Sequence, residues 1–438
     1  YNNIIMEIIS IILAAGKGKR MNSLLPKPLH KVAGKTLINW LEDNLLSASI
    51  FKKIFVLGHQ NEILKKYVKD SEYVVQEPQL GTGHAVKLTK DKIKDLNSLI
   101  IIAYADTPFI SANTIRKLVF QIKNGFKISI LGFETDEPSG YGRIITDNNN
   151  QVLKIIEEND ANEEVKKINL CNSGVLAGKA SDIFEYLDQV KLSNNGEYYL
   201  TDIVTICTSR GSKVGFVQST EEEFIGINDR IDQSEAENII QKKLVKKHLL
   251  NGVTLLNPNS IYFDATAEIS KDVIIEPNVF IGPNVKIKSQ TIVKAFSYLE
   301  NCSIGEECTI GPFARIRPET EIKNNVRVGN FVEVKKSVIK EGSKINHLSY
   351  IGDTSIGLNS NIGAGTITCN YDGIDKHKTT IGNNVFIGSN TALIAPVNIN
   401  DGSIVGAGST ITKDVAENYI AVERSKQKQF RKRKKNKN

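Results

Sequence analysis

Three groups of residues in this sequence have the types and spacing that chemistry requires. The first follows the apolar run Ile8–Leu13 and reads Ala14-Ala15-Gly16-Lys17-Gly18-Lys19-Arg20-Met21, before a polar segment carrying Pro26-Lys27-Pro28. Small residues let backbone N–H groups approach a phosphate there, and Arg20 and Lys27 supply charge. The loop is not a Rossmann G-x-G-x-x-G, since Met21 holds the last position, nor is it a Walker loop. The second is Asp106, just beyond Leu99–Tyr104, the most hydrophobic strand expected in the chain. The C-terminal edge of a parallel strand presents its side chains to the crevice, and a carboxylate there suits magnesium. The third is an ordered set, Arg317, Glu333, Lys335, His347, Tyr350 and Asn361, inside an otherwise regular aliphatic ladder. It holds an imidazole, which titrates where a general base is needed, together with two cations able to hold a phosphate.

The ladder positions the third group. From Ile269 to Ile411 an Ile, Val or Leu recurs at every sixth position with few slips, as at Ile269, Ile275, Ile281, Ile287, Val293 and Leu299. A period of six fits neither a helix nor an ordinary strand over this length, and it predicts a left-handed parallel β-helix of hexapeptide repeats. Glycines that follow the aliphatics, such as Gly282, Gly305, Gly329 and Gly388, are expected at its tight corners. The register breaks between Thr368 and Thr380, so the polar stretch Cys369–Lys376 must loop out, and loops on rigid scaffolds build sites. The flat sides of such a prism predict threefold packing. The first two groups fall in a different pattern: the strand Ile8–Leu13, a helix Asn39–Leu46, the strand Ile54–Leu57 and a helix Asn61–Val68. That alternation predicts an α/β domain with a mostly parallel, Rossmann-like sheet. Ile231–Leu250 has helical spacing and stops at Asn251-Gly252, which makes it a connecting helix. The expected organisation is residues 1–229, a linker helix 230–252, and the β-helix with a basic tail over 253–438.

Composition excludes several classes. The 438 residues are 40% hydrophobic and 24% charged, ordinary for a globular protein of two or three domains. No apolar run approaches the ~20 residues of a membrane span, and no signal-peptide pattern appears. The five cysteines include no C-x-x-C pair, so neither a disulfide framework nor a zinc site is indicated, and a cytoplasmic location is expected. The net charge of +7 owes its sign to the nine Lys and Arg of Arg424–Asn438; the remainder carries −2, so no specific nucleic-acid surface is expected. Met6 reads as the plausible start, and residues 1–5 carry no weight.

The full N-terminal string, L-A-A-G-x-G-x-R-M followed by P-K-P, resembles the signature of the sugar-nucleotide pyrophosphorylases. The resemblance implies that UTP or the UDP-sugar meets Leu13, Ala14, Ala15, Gly16 and Lys27, with Arg20 and Lys27 acting in catalysis. The stretch Gln76-Glu77-Pro78-Gln79-Leu80-Gly81-Thr82-Gly83-His84-Ala85 resembles the uracil-reading segment of the uridylyl branch, with Gln76, Gly81 and Thr82 at the base edge and His84 structural. Tyr104, Ala105 and Asp106 follow, Ala105 replacing a glycine usual in the family. Asp106 and Asn228 are the implied Mg²⁺ ligands. Gly142, Glu157 and Asn172 sit where the family holds the amino sugar, as does Glu197-Tyr198-Tyr199-Leu200-Thr201-Asp202.

The C-terminal strings Ile310–Pro318, Gly329–Lys336, Asn346–Asp353 and Gly363–Gly373 resemble the acetyltransferase half of the bacterial bifunctional N-acetylglucosamine 1-phosphate uridyltransferase / glucosamine 1-phosphate acetyltransferase family. Nearly the whole chain is covered. The resemblance implies a homotrimer that acetylates glucosamine 1-phosphate from acetyl-CoA and then uridylylates the product, giving a precursor of peptidoglycan and lipopolysaccharide. His347 would be the general base; Arg317, Lys335, Tyr350, Asn361 and Lys376 would hold the sugar phosphate. Acetyl-CoA would meet Ala364, Asn370, Tyr371, Ser389, Gly406 and Arg424, with Gly406 replacing an expected alanine. Relative to familiar members, the ladder lacks about one coil between Ile287 and Ile304. One rival reading is a single-function sugar-nucleotide pyrophosphorylase with a structural or regulatory β-helix. Another makes the β-helix a binding scaffold without chemistry.

Overall fold

The computed structural model describes residues 6–16, 18–58 and 61–432. Residues 1–5, Lys17 of the phosphate loop and 433–438 of the basic tail lie outside the described residues. The chain divides into two compact units, 1–239 and 240–438.

The first unit is built on one twisted mixed sheet. Its strands and helices run β1 (Ile8–Ala14), β2 (Lys31–Val32), β3 (Lys35–Thr36), α1 (Leu37–Ser47), β4 (Lys52–Leu57), α2 (Asn61–Tyr67), β5 (Glu72–Val75), α3 (Thr82–Lys87), β6 (Leu99–Tyr104) and α4 (Ala112–Lys123). They continue as β7 (Ile128–Glu134), β8 (Arg143–Thr146), β9 (Val152–Ile156), β10 (Leu170–Lys179), α5 (Ala180–Leu187), α6 (Asp202–Ser209) and β11 (Val214–Ser219). The strand order is β11-β7-β10-β6-β1-β4-β5, with only β10 antiparallel to its neighbours on this path and the β8–β9 hairpin attached to it. Both faces of the sheet are covered, so the central strands are apolar throughout rather than alternating. In β1, Ile9, Ile11 and Leu13 pack into one core with α3, α5 and α6, while Ile12 and Ala14 pack into the other with α1 and α4. Side-chain caps start two of these helices: Thr36 Oγ1 accepts from Asn39 N at 3.3 Å and Ser111 Oγ from Thr114 N at 3.2 Å.

Strand β1 has β4 on one side and β6 on the other, so the chain reverses its direction of sheet growth there. In open α/β sheets the ligand crevice lies beyond the carboxyl ends of strands at such a switch point. The phosphate loop leaves the end of β1, and Asp106 stands just past the end of β6.

A helix, α7 (Arg230–Leu250), carries the chain into the second unit. Its Gln241 side chain both donates to Phe263 O at 2.7 Å and accepts from Phe263 N at 3.0 Å, docking the helix on the first coil of the repeat. The repeat is a left-handed parallel β-helix of three sheets, each built from short parallel strands that pair coil to coil. Ile275 sits over Val293, Val293 over Ile310, Ile310 over Val328 and Val328 over Ile345. The aliphatic ladder is the interior: Ile275, Ile281, Val293, Leu299, Ile310, Ile316, Val328, Val334, Ile345 and Ile351 are each fully buried at 0% exposure. Between Ile287 and Ile304 stacking is continuous, the one residue pairing directly with the other.

The glycines after the aliphatics stand where an added side chain would clash, as expected, but Gly282, Gly305, Gly329 and Gly388 do not carry positive φ. Positive φ at the corners is carried mainly by residues such as Asn278, Asn284, Asn325 and Asn359. Gly329 instead faces the next coil so closely that a Cβ would stand 1.9 Å from Asn346 O. Proximity of stacked backbones, not turn conformation, demands glycine at that position.

Candidate active sites

The crevice of the first unit is assembled from several loops. Ala105 N donates to Leu13 O at 3.1 Å, which ties the β6 exit to the β1 exit. Ile227 N donates to Asp106 O at 2.9 Å and so brings Asn228 beside Asp106. Lys27 Nζ then donates to Asp106 Oδ2 at 2.6 Å and to Asn228 Oδ1 at 3.0 Å. A carboxylate oxygen and an amide oxygen thus converge on one cation, the donor set a hard divalent ion requires. Among the described residues no group of three His, Cys, Asp or Glu side chains could hold a metal. A metal held by Asp106 and Asn228 would complete its shell from phosphate and water. Asn228 is fixed from behind, its N–H donating to Asp232 Oδ2 at 2.7 Å.

The Gln76–Thr82 segment is stitched to the Glu197–Asp202 segment. Gly83 N donates to Tyr198 O at 2.8 Å, Tyr198 N to Leu80 O at 2.9 Å and Leu200 N to Thr82 Oγ1 at 3.1 Å. Gly81 has φ +95° and ψ 176°, and a Cβ there would meet Tyr198 O at 2.7 Å. Gln76 is buried, and its amide donates to Gly81 O at 2.9 Å and lies 3.2 Å from His84 Nδ1. His84 is held below its ordinary pKa by burial and by Lys87, as befits a structural partner.

Beside these segments Glu157 Oε1 accepts from Thr201 Oγ1 at 2.6 Å, Asn172 N donates to Gly142 O at 2.8 Å, and a Cβ on Gly142 would crowd Glu157 Oε2 at 3.3 Å. Burial pushes the Glu157 carboxyl above its ordinary range, while the Thr201 hydroxyl opposes the shift. Tyr104 hydrogen-bonds Thr82, and burial with the Glu157 charge pushes its hydroxyl well up. Tyr104 lies under Gly174, where a Cβ would meet the ring at 2.6 Å. Gly142, Glu157, Asn172, Tyr104 and Thr82 therefore share one wall. Ala105 is 1% exposed in the core beneath, so its methyl does not enter the crevice. Arg20 is exposed on the phosphate loop.

In the second unit the expected residues lie on two adjacent sides of the prism. Glu333 stands beside Tyr350, and Lys335 beside Gly352, on one side. There Arg317 Nη1 donates to Glu333 Oε1 at 2.8 Å, and the guanidinium's Nε is buried without a partner. Asn361 and His347 belong to the neighbouring side. His347 is exposed, and its Nδ1 is 2.8 Å from Asn330 Oδ1, one coil earlier. Asn330 as this partner was not singled out by sequence reasoning; the 17-residue offset in the pairing register was its signal.

The acetyl-CoA candidates continue the His347 edge. Gly365 N donates to His347 O at 3.3 Å, Asn390 N to Ala364 O at 2.7 Å and Gly408 N to Ser389 O at 2.8 Å. Arg424 Nη1 reaches the same edge, donating to Ala407 O at 2.9 Å. A Cβ on Gly406 would meet only the exposed Val422 side chain, with Cγ2 at 2.8 Å. Asn370 is buried, and its amide donates to Asp353, so it anchors the loop it begins. The loop folds on itself: Tyr371 pairs with Lys376, and Asp372, held well below its usual range by His377 and two backbone N–H groups, caps the turn. Among the described residues no hydrogen bond or ion pair joins Lys376 to His347, Tyr350 or Lys335.

The fold and these two clusters define a nucleotidyltransferase unit joined to a hexapeptide-repeat transferase unit. Matches to family models agree: a MobA-like NTP transferase domain over residues 10–158, a GMPPB C-terminal domain over 298–374, and a bacterial transferase hexapeptide of six repeats over 378–413. The chain is 44% identical to the bifunctional protein GlmU of Caldanaerobacter subterraneus subsp. tengcongensis, over 96% of each chain. It is 43% identical to that of Zymomonas mobilis subsp. mobilis over 98% of each, and 44% identical to one from Clostridium botulinum over 95% of this chain and 96% of the relative. The chain belongs to the family of the bifunctional protein GlmU. Among the described residues no helix is long and apolar enough to cross a membrane.

Proposed function

We propose that the two clusters divide the two reactions of this bifunctional enzyme, which makes UDP-N-acetylglucosamine. The carrying observation is that Lys27, Asp106 and Asn228, up to 201 positions apart in sequence, converge in the first unit, while the Arg317–Glu333 and His347–Asn330 pairs stand on two adjacent sides of the second. In the second unit, Arg317 and Lys335 hold the phosphate of glucosamine 1-phosphate, with Tyr350, Asn361 and Lys376 completing the pocket. Asn330 accepts from His347 Nδ1–H and leaves Nε2 as the base. The Nε2 lone pair takes a proton from the amine as the amine nitrogen bonds to the thioester carbonyl; the C–S bond then breaks with its electrons leaving on sulfur, and the imidazolium returns the proton to release the CoA thiol. Ala364, Ser389, Gly406 and Arg424 line the edge along which acetyl-CoA lies, with Tyr371 reaching from the loop.

In the first unit, a phosphate oxygen of N-acetylglucosamine 1-phosphate attacks the α-phosphorus of UTP, and pyrophosphate leaves. Gln76, Gly81 and Thr82 bind the uracil edge; Gly142, Glu157 and Asn172 bind the sugar hydroxyl and acetamido groups. Mg²⁺ on Asp106 and Asn228 neutralises the triphosphate when bound. Arg20 and Lys27 meet the charge that develops in the in-line displacement.

A homotrimer is supported by the edge that carries His347. Phe296, Phe313 and Phe331 stack at 4.9 and 5.1 Å, are 45–55% exposed, and hold φ of 55–61°. Bulky apolar groups at positive φ cost on the order of 1–3 kcal/mol each, which burial against another copy would offset.

The division is tested by two variants in two assays. Asp106→Ala should abolish uridylyl transfer and leave acetyl transfer near wild type. His347→Ala should lower acetyl transfer about 10²- to 10⁴-fold and leave uridylyl transfer on supplied N-acetylglucosamine 1-phosphate intact. A His347→Ala enzyme within about threefold of wild type would place the base elsewhere, with Glu333 the next candidate.

A further inference from the structure

The Lys27 ammonium donates to the two oxygens that a metal at Asp106 and Asn228 would require, at 2.6 and 3.0 Å, and its side chain is only 12% exposed. Those oxygens cannot serve both cations, because the two would compete for the same lone pairs and repel one another. Yet a carboxylate in this partly buried position also needs a counter-charge at all times.

The backbone sets where Lys27 can turn. Lys27 opens the short helical turn Lys27–Leu29 behind Pro26, and Gly18 of the phosphate loop lies so close that a Cβ there would stand 3.1 Å from Lys27 Cβ. The lysine stem therefore starts against the phosphate loop and ends at the Asp106–Asn228 pair. Rotation about its flexible side-chain bonds carries the ammonium from one to the other.

We propose that Lys27 is the resident cation of the metal position and that the nucleotide exchanges it. With a triphosphate in the crevice, a divalent cation takes Asp106 and Asn228 while Lys27 turns onto the phosphates; the inference rests on the reading of Asp106 and Asn228 as metal ligands. Asp106 is paired in both states. Metal and nucleotide then bind cooperatively, because the lysine yields its place only when a second anion receives it.

The experiment titrates Mn²⁺ by electron paramagnetic resonance into the full chain, alone and with saturating UTP, for wild type, Lys27→Met, Lys27→Gln and Asp106→Ala, with melting temperatures as the check of folding. Both lysine variants should bind Mn²⁺ alone about two- to fivefold more tightly than wild type, the scale of a partly exposed ion pair. Their gain in Mn²⁺ affinity on adding UTP should shrink by a similar factor. If neither folded lysine variant binds Mn²⁺ alone more tightly than wild type, the exchange is overturned. If Asp106→Ala keeps wild-type Mn²⁺ affinity with UTP, the metal-ligand reading falls and the exchange falls with it.

Discussion

The Nδ1 of His347 lies 2.8 Å from the side-chain oxygen of Asn330, its pairing partner on the preceding coil. That contact selects the tautomer with the proton on Nδ1 and aims the ring. Asn330→Ala should lower acetyl transfer by about one to two orders of magnitude, the usual effect of losing an orienting partner behind a functional histidine. Asn330→Asp tests the electrostatic side of the contact. A carboxylate stabilises the imidazolium, so the acid limb of the rate–pH profile should move to higher pH while activity above that limb is largely kept. Unchanged profiles in both variants would reduce Asn330 to a packing residue.

Gly81 occupies a backbone region open only to glycine, and its missing side chain leaves room for the Tyr198 carbonyl 2.7 Å from where a Cβ would stand. Gly81→Ala should therefore move the loop that carries Thr82 and raise the KM for UTP at least tenfold. Because the Glu197–Asp202 segment is bonded to that loop, the KM for the sugar phosphate should rise as well. Steady-state kinetics with each substrate varied would show it; a rise for UTP alone would mean the two segments move independently.

Much of this was legible in the sequence because the signals were periodic or local. A six-residue repeat leaves few alternatives, and the ladder Ile275, Val293, Ile310, Val328 and Ile345 is the observed interior. The helix expected over Ile231–Leu250 is observed as Arg230–Leu250, ending at the expected Asn251-Gly252 stop. Two kinds of fact were not legible. The demand for glycine at Gly329 comes from the Asn346 backbone of another coil, which local turn rules do not contain. The Asn330–His347, Lys27–Asp106 and Glu157–Thr201 contacts depend on which side chains the fold brings together across 17 to 79 residues of sequence.

The exposed stack Phe296–Phe313–Phe331 gives the assembly a specific handle. Sedimentation of wild type should report three chains. Phe313→Glu places a charge in the middle of the stack, where burial against another copy would cost several kcal/mol, so this variant should sediment as a smaller species. Acetyl transfer should fall with assembly, while uridylyl transfer, whose crevice lies wholly in the first unit, should persist. A Phe313→Glu protein that remains a trimer would locate the interface on another edge.

The last prediction concerns stability, and it turns on His248 at the end of α7. The ring stacks on Phe263 with centroids 4.5 Å apart, is 2% exposed, and neither nitrogen has a hydrogen-bond partner. Burial first, and Lys247 second, lower its pKa from 6.5 to about 4. The fold thus binds the neutral ring, whereas the unfolded chain takes up a proton as pH falls through 6.5. Stability contributed by His248 is complete above that value and declines progressively until the folded ring itself titrates near 4. At pH 4.5 the loss should be on the order of 2–3 kcal/mol. His248→Phe keeps the stack on Phe263, removes two unpartnered polar atoms and cannot titrate. It should match or exceed wild type at pH 7.5, and its advantage should grow steadily toward pH 4.5. Thermal melting of both proteins across that range makes the comparison directly, since every other titrating group is common to the two. Melting curves that stay parallel from pH 7.5 to 4.5 would mean that His248 finds a proton-accepting partner in solution and does not set the acid limit of the β-helix.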